Sequence, residues 1–448
     1  MWQRILHKRK RLVLYFLWVL NLFFILWFWQ RSSLSLSFEP VNSSWLIALG
    51  RLFGLFAVYS VLTQFLLIGR IFWIERVFGF DRLSKTHHYN GALTYTFILL
   101  HPLFITLGYA EVNQWSPFEQ FRATIQSTWQ GLFAGIGFLL FTIVIFFASA
   151  LVRKKLKYEW WYATHILVYG AVFFVFWHQL AFGTDFKIQP LFVKYWYGLY
   201  AFVLGNFILF RMIVPIARFF TQEFRVARVQ REAQSTTSIY ITGNNLARLK
   251  ARAGQFIIVR FFAKGFWREA HPFSLSQIPI GNMMRISVKN SGDYTSRISQ
   301  VPVGARALIE GPYGSFTLRT AQRKKFLFIA GGVGITPIFA LIKEVVSQRR
   351  DAILLYGNKT SNDIIFKEDL NILAMNRSIR LHTIVSDEPS YPGERGKIDI
   401  TRIQELVPDF RELEIYICGP KPMIKALKNA LRKEGVERDA IHYELFSL

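Results

Sequence analysis

The chain has 448 residues, of which 52% are hydrophobic and 17% are aromatic, a length sufficient for two or three domains. Its 54 Lys and Arg residues outnumber 29 Asp and Glu residues and give a formal net charge of +25, which is compatible with nucleic-acid binding. The basic residues cluster beside apolar stretches, however, so membrane topology explains the charge better and excludes nucleic acid as the expected partner.

Six apolar segments in the first half of the chain are long enough to be transmembrane helices. The first of them follows a basic start but lacks a small-residue cleavage site, so we predict a retained helix rather than a signal peptide. The segments are residues 12–29, 45–68, 89–110, 130–151, 160–181 and 195–215.

Lys and Arg are concentrated on alternate connections between these segments. By the positive-inside rule, the N-terminus is cytoplasmic, and six crossings return the C-terminal half to the cytoplasm. The basic side carries Arg4, Lys8, Arg9, Lys10, Arg11, Arg70, Arg76, Arg82, Lys85, Arg153, Lys154, Lys155 and Lys157, and the other side carries Arg31, Arg122, Lys187 and Lys194.

Four histidines occur in two spaced pairs within this apolar half. His87 and His101 are fourteen residues apart, and His165 and His178 are thirteen apart. At about 1.5 Å rise per residue, each pair spans roughly 20 Å, which suits two stacked haems that each take one axial histidine from each helix. With the N-terminus cytoplasmic, the topology predicts His87 and His165 as inner ligands, and His101 and His178 as outer ligands.

Helical phase supports the first pair better than the second. Fourteen residues end about 40° short of whole turns, but thirteen end about 140° short, so the second helix needs a kink, for which Gly170 is available, or an off-axis haem. A lone membrane histidine is more often a hydrogen-bonding residue between helices than a metal ligand. Two matched pairs nevertheless favour ligation, because ionisable side chains are costly in the bilayer.

The periodicity shortens after residue 222. Alternating or β-branched runs such as Ser238–Thr242 and Arg285–Lys289 predict a small antiparallel barrel. From residue 325, strand and helix patterns alternate, which predicts a parallel α/β domain. We therefore predict a multi-domain membrane protein with a six-helix transmembrane domain (1–217), a β-barrel domain (218–320) and an α/β domain (321–448).

Three motifs in the second half suggest chemistry. Gly331-Gly332-Val333-Gly334-Ile335-Thr336 follows a strand and opens a helix, so it can receive a pyrophosphate, although a purely structural turn is equally compatible. His271-Pro272-Phe273-Ser274 lies on a barrel strand, with Lys289, Gly292 and Thr295 beyond it as groups for phosphate oxygens. Cys418-Gly419-Pro420, which contains the single cysteine, closes a late strand; one cysteine permits neither an intrachain disulfide nor a thiolate-ligated iron–sulfur cluster.

In this order and spacing, the three motifs resemble the ferredoxin-NADP reductase family of flavoenzymes. The first half resembles the ferric-reductase-like transmembrane domain, and the combination is similar to bacterial NADPH oxidases and ferric-chelate reductases. The membrane resemblance selects His87, six residues after Asp81, over its neighbour His88, which remains the alternative. The motifs that carry it are Gly50-Arg51-Leu52, Asp81-Arg82-Leu83, His87, His101, Trp161-Tyr162-Ala163-Thr164-His165 and His178.

The resemblance implies binding sites for FAD, two b-type haems and NADPH or NADH. Many relatives have Arg where His271 stands, and His-Pro-Phe is common in the oxidase and ferric-reductase branch. Phe446 would cover the flavin until nicotinamide displaces it; its alternative is a terminal core residue. The implied residues are His271, Pro272, Phe273 and Ser274 for the flavin, Lys289, Gly292 and Thr295 for its diphosphate, Gly331, Gly332, Gly334 and Thr336 for the nucleotide pyrophosphate, and Cys418, Gly419 and Pro420 near the nicotinamide.

Two cationic residues suggest which nucleotide is used and how charge is stabilised near the outer haem. Each of them also has a simpler, purely structural explanation. Lys359 follows the second α/β strand, where it can meet a 2′-phosphate, and no acidic residue stands at that strand end to prefer a free 2′-hydroxyl, which favours NADPH. An exposed loop lysine is the alternative. Arg51 can pair with a haem propionate or stabilise superoxide; its alternative is a snorkelling interfacial arginine.

The implied function is electron transfer from cytoplasmic NAD(P)H through FAD and two haems to an acceptor beyond a bacterial cytoplasmic membrane. We expect oxygen, reduced to superoxide, as the acceptor. A ferric-chelate reductase, or a subunit that donates electrons to a partner protein or quinone, is the alternative. The bilayer is the one partner that the sequence requires, and a transporter without redox function would leave the flavin and nucleotide motifs unexplained.

Overall fold

The chain divides into two compact units, which we call the helical unit and the sheet unit. The computed structural model describes residues 2–37, 43–156, 158–182 and 189–445. The helical unit comprises Lys10–Ile71 and Arg82–Leu209. The sheet unit comprises Met1–Arg9, Phe72–Asp81 and Phe210–Leu448.

Within the described residues, six helical segments are long and apolar enough to cross a membrane, as predicted. They are α1, α2, α4, α6, α8 and the continuous segment of α9 and α10. The helices are α1 (Trp2–Ser37), α2 (Ser43–Ile68), α3 (Phe72–Phe78), α4 (Phe80–Asn113), α5 (Pro117–Gln126), α6 (Trp129–Ala148), α7 (Ala150–Arg153), α8 (Tyr158–Phe182), α9 (Pro190–Ile208) and α10 (Val214–Thr221).

Large apolar side chains lie exposed along these helices. Leu139, Phe173 and Phe202 are each more than half exposed, and many others resemble them. Such a surface suits contact with lipid, because hydrocarbon does not penalise apolar exposure and the helices satisfy their own backbone hydrogen bonds. The chain is a multi-pass membrane protein.

Local sequence explains where two of the helical elements change. α3 ends where Gly79 adopts a φ of 80° and donates its N–H to the carbonyl oxygen of Glu75 at 2.7 Å. α9 passes into a π turn at Leu209–Ile213, just before Pro215, whose ring nitrogen cannot donate a helical hydrogen bond.

The sheet unit begins with a closed antiparallel barrel in the strand order β1-β2-β5-β4-β3-β6. Its interior is apolar because alternate residues point inward: Ile239 faces Ile286, and Val259 faces Ile309, all fully buried. The predicted barrel is confirmed. Its elements are β1 (Arg225–Ala233), β2 (Thr236–Thr242), β3 (Phe256–Phe262), β4 (His271–Ile280), β5 (Met283–Lys289), α11 (Asp293–Ser296) and β6 (Arg306–Tyr313).

The predicted parallel α/β domain is also confirmed, with strand order β10-β9-β8-β7-β11-β12. β7 and β11 are buried along their whole length, as expected for parallel strands covered on both faces. The elements are β7 (Phe326–Gly331), α12 (Ile335–Ser347), β8 (Ala352–Asn358), α13 (Lys367–Met375), β9 (Arg380–Val385), β10 (Glu394–Arg395), α14 (Ile400–Leu406), β11 (Glu414–Gly419), α15 (Lys421–Lys433) and β12 (Ile441–Leu445).

The strand order of this sheet reverses between β7 and β11. After β7 the chain continues outward through β8, β9 and β10, and it then crosses to β11 and β12 on the other side. The loops that follow β7 and β11 therefore open onto one crevice at the carboxyl edge of the sheet, where α/β domains bind their ligands.

At the opposite edge of the sheet, a buried carboxylate joins β11 to its surroundings. Glu414 Oε1 lies 2.6 Å from His442 Nε2, and Glu414 Oε2 accepts the backbone N–H groups of Gln322 and Arg323, each at 3.1 Å. Burial raises the pKa of Glu414, but the hydrogen bonds and the electrostatic interaction with His442 together outweigh burial, and the net effect is a lowered pKa.

We expect Glu414→Gln to destabilise the sheet unit at pH 7 by about 1–3 kcal/mol, the usual cost of weakening hydrogen bonds to buried donors. Because the folded-state pKa lies below the unfolded-state value, the carboxylate's contribution is fully present above about pH 5 and declines as the pH falls through the lowered pKa. Thermal unfolding of the full chain in detergent would show a difference in melting temperature between wild type and variant, and this difference would become smaller as the pH is lowered. A difference in melting temperature that does not change with pH would contradict a stabilising role of the ionised Glu414 carboxylate.

Glu394→Gln is the matched control for this change. It removes the partly exposed carboxylate that lies 2.7 Å from His382 Nδ1, so its effect should be smaller.

Candidate functional site

Two pairs of imidazole rings face each other between α4 and α8. The ring centroids of His87 and His165 are 6.2 Å apart, and those of His101 and His178 are also 6.2 Å apart. α8 is helical throughout its length, so both pairs form without a break at Gly170. The structure therefore brings together the four histidines that the sequence singled out.

The spacing of the rings suits one metal ion within each pair. A metal–imidazole bond of about 2.0 Å, with the nitrogen about 1.1 Å from its ring centre, places two axial imidazole centroids about 6.3 Å apart. Among the described residues, the buried Nδ1 atom of His165 has no hydrogen-bond partner. Because buried polar atoms without partners are costly, this arrangement fits a site completed by a bound group such as haem.

The outer pair is oriented by a backbone carbonyl. His101 Nδ1 lies 2.8 Å from the carbonyl oxygen of Gly50, so in the neutral ring Nδ1–H donates to it and the Nε2 lone pair is available for a metal. A Cβ on Gly54 would lie 2.8 Å from His101 Nδ1, so only glycine allows α2 to pass this close. The pattern of two small residues four apart signals such packing, although its role toward His101 was not predicted.

The inner pair is held by different neighbours. Gln64 Nε2 donates to the backbone carbonyl of His87 at 3.0 Å, and the Trp161 ring stacks on His165 with centroids 5.2 Å apart. His88 is exposed, and its ring faces Tyr89 at 5.9 Å. Of the two adjacent histidines, it is His87 that α4 directs toward α8.

A cavity of 530 Å³ adjoins the outer pair and is lined by both His101 and His178. Its walls are mainly apolar, and Arg51 is the one Lys, Arg, Asp or Glu among the described residues that line it. Arg51 Nη2 donates to Ser32 Oγ at 3.3 Å. Arg51, predicted to lie near an outer haem, shares this cavity wall with His101 and His178.

Gln179 organises part of the same wall. Its Oε1 accepts the indole N–H of Trp196 at 3.1 Å, and its Nε2 donates to the Tyr200 hydroxyl at 3.1 Å. These hydrogen bonds pair polar groups that would otherwise face an apolar cavity.

In the barrel, β4 presents the predicted His-Pro-Phe-Ser run. The His271 ring packs on Tyr294 with centroids 4.0 Å apart, and its Nε2 lies 2.9 Å from Glu269 Oε2. Burial, followed by the charge of Glu269, raises the pKa of Tyr294, so its phenol is neutral at physiological pH. Phe273 is half-buried and Ser274 is buried. The sequence did not predict the contact with Tyr294.

The predicted phosphate-binding turn follows β5. Lys289 is the last residue of β5, and the hydroxyl of Thr295 accepts the N–H groups of Ser291 at 2.9 Å and of Gly292 at 3.0 Å. Thr295 therefore shapes the turn on which Gly292 lies, and Lys289 supplies a cation at its start.

The glycine turn after β7 and the Cys-Gly-Pro turn after β11 are in backbone contact. A Cβ on Gly334 would lie 2.1 Å from the carbonyl oxygen of Cys418, and a Cβ on Gly419 would lie 3.1 Å from Gly331 Cα. Side chains at these positions would force the two turns apart. Two motifs that are far apart in sequence therefore form one surface at the switch point of the sheet.

The remaining residues of these turns have separate positions. Gly332 has a φ of 52°, Thr336 is buried and donates to the Val333 carbonyl at 2.9 Å, and Pro420 is exposed. Burial raises the pKa of the Cys418 thiol well above its ordinary value. This cysteine is therefore a neutral thiol and not a nucleophile.

A carboxylate that the sequence analysis missed lies beside the Lys359 loop. Ser361 donates its N–H and its hydroxyl to Glu388 at 2.7 and 3.0 Å, and these bonds lower the pKa of Glu388. Glu388 follows β9, and the pairing of β8 with β9 brings it here. The residues that directly follow β8 in sequence contain no carboxylate at the strand end, as expected, but Glu388 brings one to Ser361, so the preference for NADPH over NADH now depends on Lys359 alone. Lys359 itself is exposed.

Phe446, predicted to cover the flavin, lies outside the described residues.

Family comparisons match three successive regions of the chain. Residues 53–177 match the ferric reductase like transmembrane component, residues 221–317 match an FAD-binding domain, and residues 328–429 match an oxidoreductase NAD-binding domain.

Individual relatives match about half of the chain. A flavohemoprotein of Bacillus subtilis is 28% identical over 234 residues, which cover 50% of this chain and 58% of the relative. An NADPH oxidoreductase of Mycobacterium tuberculosis is 26% identical over 239 residues, covering 50% and 60%. The FAD/NAD binding domain of nitric oxide dioxygenase from Vibrio cholerae covers 50% of this chain and 98% of its own, with 24% identity and a TM-score of 0.45. The chain spans about 60% of the length of these curated relatives.

We expect Gly334→Ala to abolish or strongly reduce nucleotide binding while FAD binding to the barrel is retained, because the new Cβ would displace the Cys418 backbone. Titration with NADPH and NADH, together with FAD content, measures both properties. Gly357→Ala is the control, since its Cβ would lie 3.1 Å from the side-chain end of Ile398 and at an ordinary contact distance, 3.8 Å, from the nearest backbone atom, the Ala330 carbonyl oxygen. Wild-type nucleotide affinity in Gly334→Ala would separate these turns from the nucleotide site.

Proposed function

We propose that this chain, which belongs to the ferric-reductase-like membrane proteins that carry FAD- and NAD-binding domains, passes electrons from NAD(P)H to dioxygen across a membrane. NAD(P)H-driven flavin electron transfer follows from the family. The two haems, the direction and the acceptor are the proposal. The observation that carries it is the 6.2 Å separation of ring centroids in both histidine pairs.

The electron balance requires two acceptor molecules for each nucleotide. One hydride supplies two electrons, so one NAD(P)H and two O₂ give NAD(P)⁺, a proton and two superoxide ions. When bound, FAD accepts the hydride and releases electrons singly, and two b-type haems carry single electrons. Alternating Lys and Arg clusters support cytoplasmic termini and outward electron flow across a bacterial cytoplasmic membrane.

In the sheet unit, each predicted group has a role in binding. His271, Phe273 and Ser274 would contact the flavin, and Lys289 would offset the charge of its diphosphate. The N–H groups of the Gly331–Thr336 turn and the positive end of α12 would receive the nucleotide pyrophosphate. The contact between this turn and Cys418 supports placing the nicotinamide end of the nucleotide nearby.

In the helical unit, His87 and His165 would hold the inner haem, and His101 and His178 the outer haem. Held by two imidazoles, each haem would carry electrons rather than bind the acceptor, so the acceptor would be bound by groups of the protein. The carbonyl of Gly50 keeps Nε2 of His101 available as the ligand atom.

The outer cavity supports dioxygen as the acceptor. The part of this cavity that a haem between His101 and His178 would leave open has a mainly apolar lining, which suits a small neutral molecule better than a charged ferric chelate. Arg51 is placed to stabilise negative charge, either on an anionic product as it forms or on a haem propionate.

We expect His101→Leu to lose about half of the bound haem and all electron transfer to oxygen, while NADPH still reduces the flavin. Pyridine-haemochrome content and anaerobic absorbance spectra of the purified chain measure these effects. His88→Leu, which removes the exposed neighbouring histidine, should retain full haem content. An unchanged haem-to-protein ratio in His101→Leu would contradict the ligand assignment.

The acceptor is tested by reducing the FAD-supplemented protein with NADPH without oxygen and then adding oxygen or a ferric chelate. We expect rapid haem reoxidation by oxygen, with cytochrome c reduction that superoxide dismutase abolishes. Reoxidation by the chelate alone would make the protein a ferric reductase. Reoxidation by neither would indicate a subunit that needs a partner protein or quinone.

A further inference from the structure

A buried arginine links the barrel to the nucleotide-binding domain. Arg285 lies on β5 with its side chain only 4% exposed. Its guanidinium carbon lies 4.2 Å from the ring centroid of Phe366 and 5.4 Å from that of Phe339, both in the α/β domain. Its Nη1 lies 3.6 Å from Glu232 of the barrel and 3.7 Å from Asp369 of α13. One barrel cation thus contacts two elements of the other domain.

The contacts form a stack with a cation at each end. The Phe339 and Phe366 rings are stacked, with centroids 4.6 Å apart and planes inclined by 28°. Lys343 Nζ lies 4.6 Å from the centroid of Phe339, and Arg285 covers Phe366. Ring faces attract cations, so the stack holds Phe366 between Phe339 and the barrel.

Phe366 is strained at this position. Its φ of 58° is left-handed, which is unfavourable for a bulky residue and is retained only where surrounding contacts enforce it. Arg285 also carries a cost, because its buried Nε and Nη2 have no hydrogen-bond partner among the described residues. An apolar side chain at position 285 would pack this interface without burying unpartnered guanidinium nitrogens, so packing alone does not explain the arginine.

The strained residue directly follows the loop that carries Lys359. The barrel also contacts this loop at a second point, where the N–H of Gln234 donates a hydrogen bond to the Asn362 carbonyl at 3.2 Å. The Ser235 hydroxyl donates to Asp363 at 3.1 Å. The barrel therefore contacts the loop at residues 362–363 and again, through Arg285, at Phe366.

We propose that Arg285 is a positioning residue that holds the 359–366 loop in the conformation that binds the nicotinamide nucleotide. The inference rests on the proposed function and on the expectation from the sequence that Lys359, in this loop, meets the nucleotide. Arg285 acts through Phe366 and does not touch the nucleotide itself. Nucleotide affinity is thereby coupled to the docking of the barrel against the α/β domain.

The test is Arg285→Met in the full chain, which retains the length of the side chain and removes the cation. We expect the dissociation constants of NADPH and NADH to rise about tenfold, and amide hydrogen exchange of residues 359–366 to accelerate about tenfold without nucleotide. FAD affinity should stay within about twofold of wild type, because a positioning role at the loop leaves the barrel intact. Arg285→Lys, which retains the charge but not the planar group, should be intermediate.

Arg228→Met is the matched control. Arg228 covers the ring of Tyr240 at 3.9 Å, and Arg285 lies 5.8 Å from the same ring, but Arg228 is exposed on the barrel surface. Its loss should leave nucleotide affinity and loop exchange unchanged. If Arg285→Met fails to fold, Ser235→Ala tests the same coupling from the surface and should raise both nucleotide dissociation constants and loop exchange.

Wild-type nucleotide affinity and loop exchange in a folded Arg285→Met chain would overturn the inference. An equal weakening of FAD and nucleotide binding would also overturn it, by showing a general structural role. Failure of the proposed function is distinct: the wild-type chain would then reduce neither its flavin nor its haems with NADPH or NADH.

Discussion

The need to satisfy imidazole nitrogens inside an apolar environment governs the helical unit. Buried polar atoms require partners, and an apolar bundle offers few of them. The structure meets part of this requirement by supplying the carbonyl of Gly50 to His101, and the facing rings of each pair leave space in which a bound group would meet the rest. That carbonyl is accessible only because α2 has glycine where it passes α4. The glycine contact and the histidine pairs are therefore parts of one arrangement.

In the sheet unit, as in the helical unit, the site depends on two backbone segments that lie unusually close together. The turns after β7 and β11 meet at the switch point because Gly334 and Gly419 have no side chains to separate them. A surface made of backbone can approach a phosphate-bearing ligand closely and present N–H groups to it. In both units, glycine allows backbone groups to serve as binding elements, through a carbonyl in the helical unit and through N–H groups in the sheet unit.

Charged residues then refine the chemistry of these surfaces. Arg51 introduces a cation into an otherwise apolar cavity wall, Arg285 buries another between two domains, and Glu388 places a carboxylate beside an exposed lysine loop. Each carries a desolvation or pairing cost that an apolar residue would avoid. Such costs are commonly retained where a site binds, positions or discriminates a ligand.

The sequence by itself determined the six apolar helices, the barrel, the parallel sheet and the two spaced histidine pairs, because hydrophobic periodicity and residue spacing are local properties. It also placed the glycine turn at the end of a strand. The sequence also favoured His87 over His88, and in the structure it is His87 that faces His165. Only the tertiary structure decided that Glu388 reaches Ser361 and that Arg285 reaches Phe366. These contacts join residues whose proximity depends on helix rotation, strand order and domain docking, and no pattern within a single segment records those quantities.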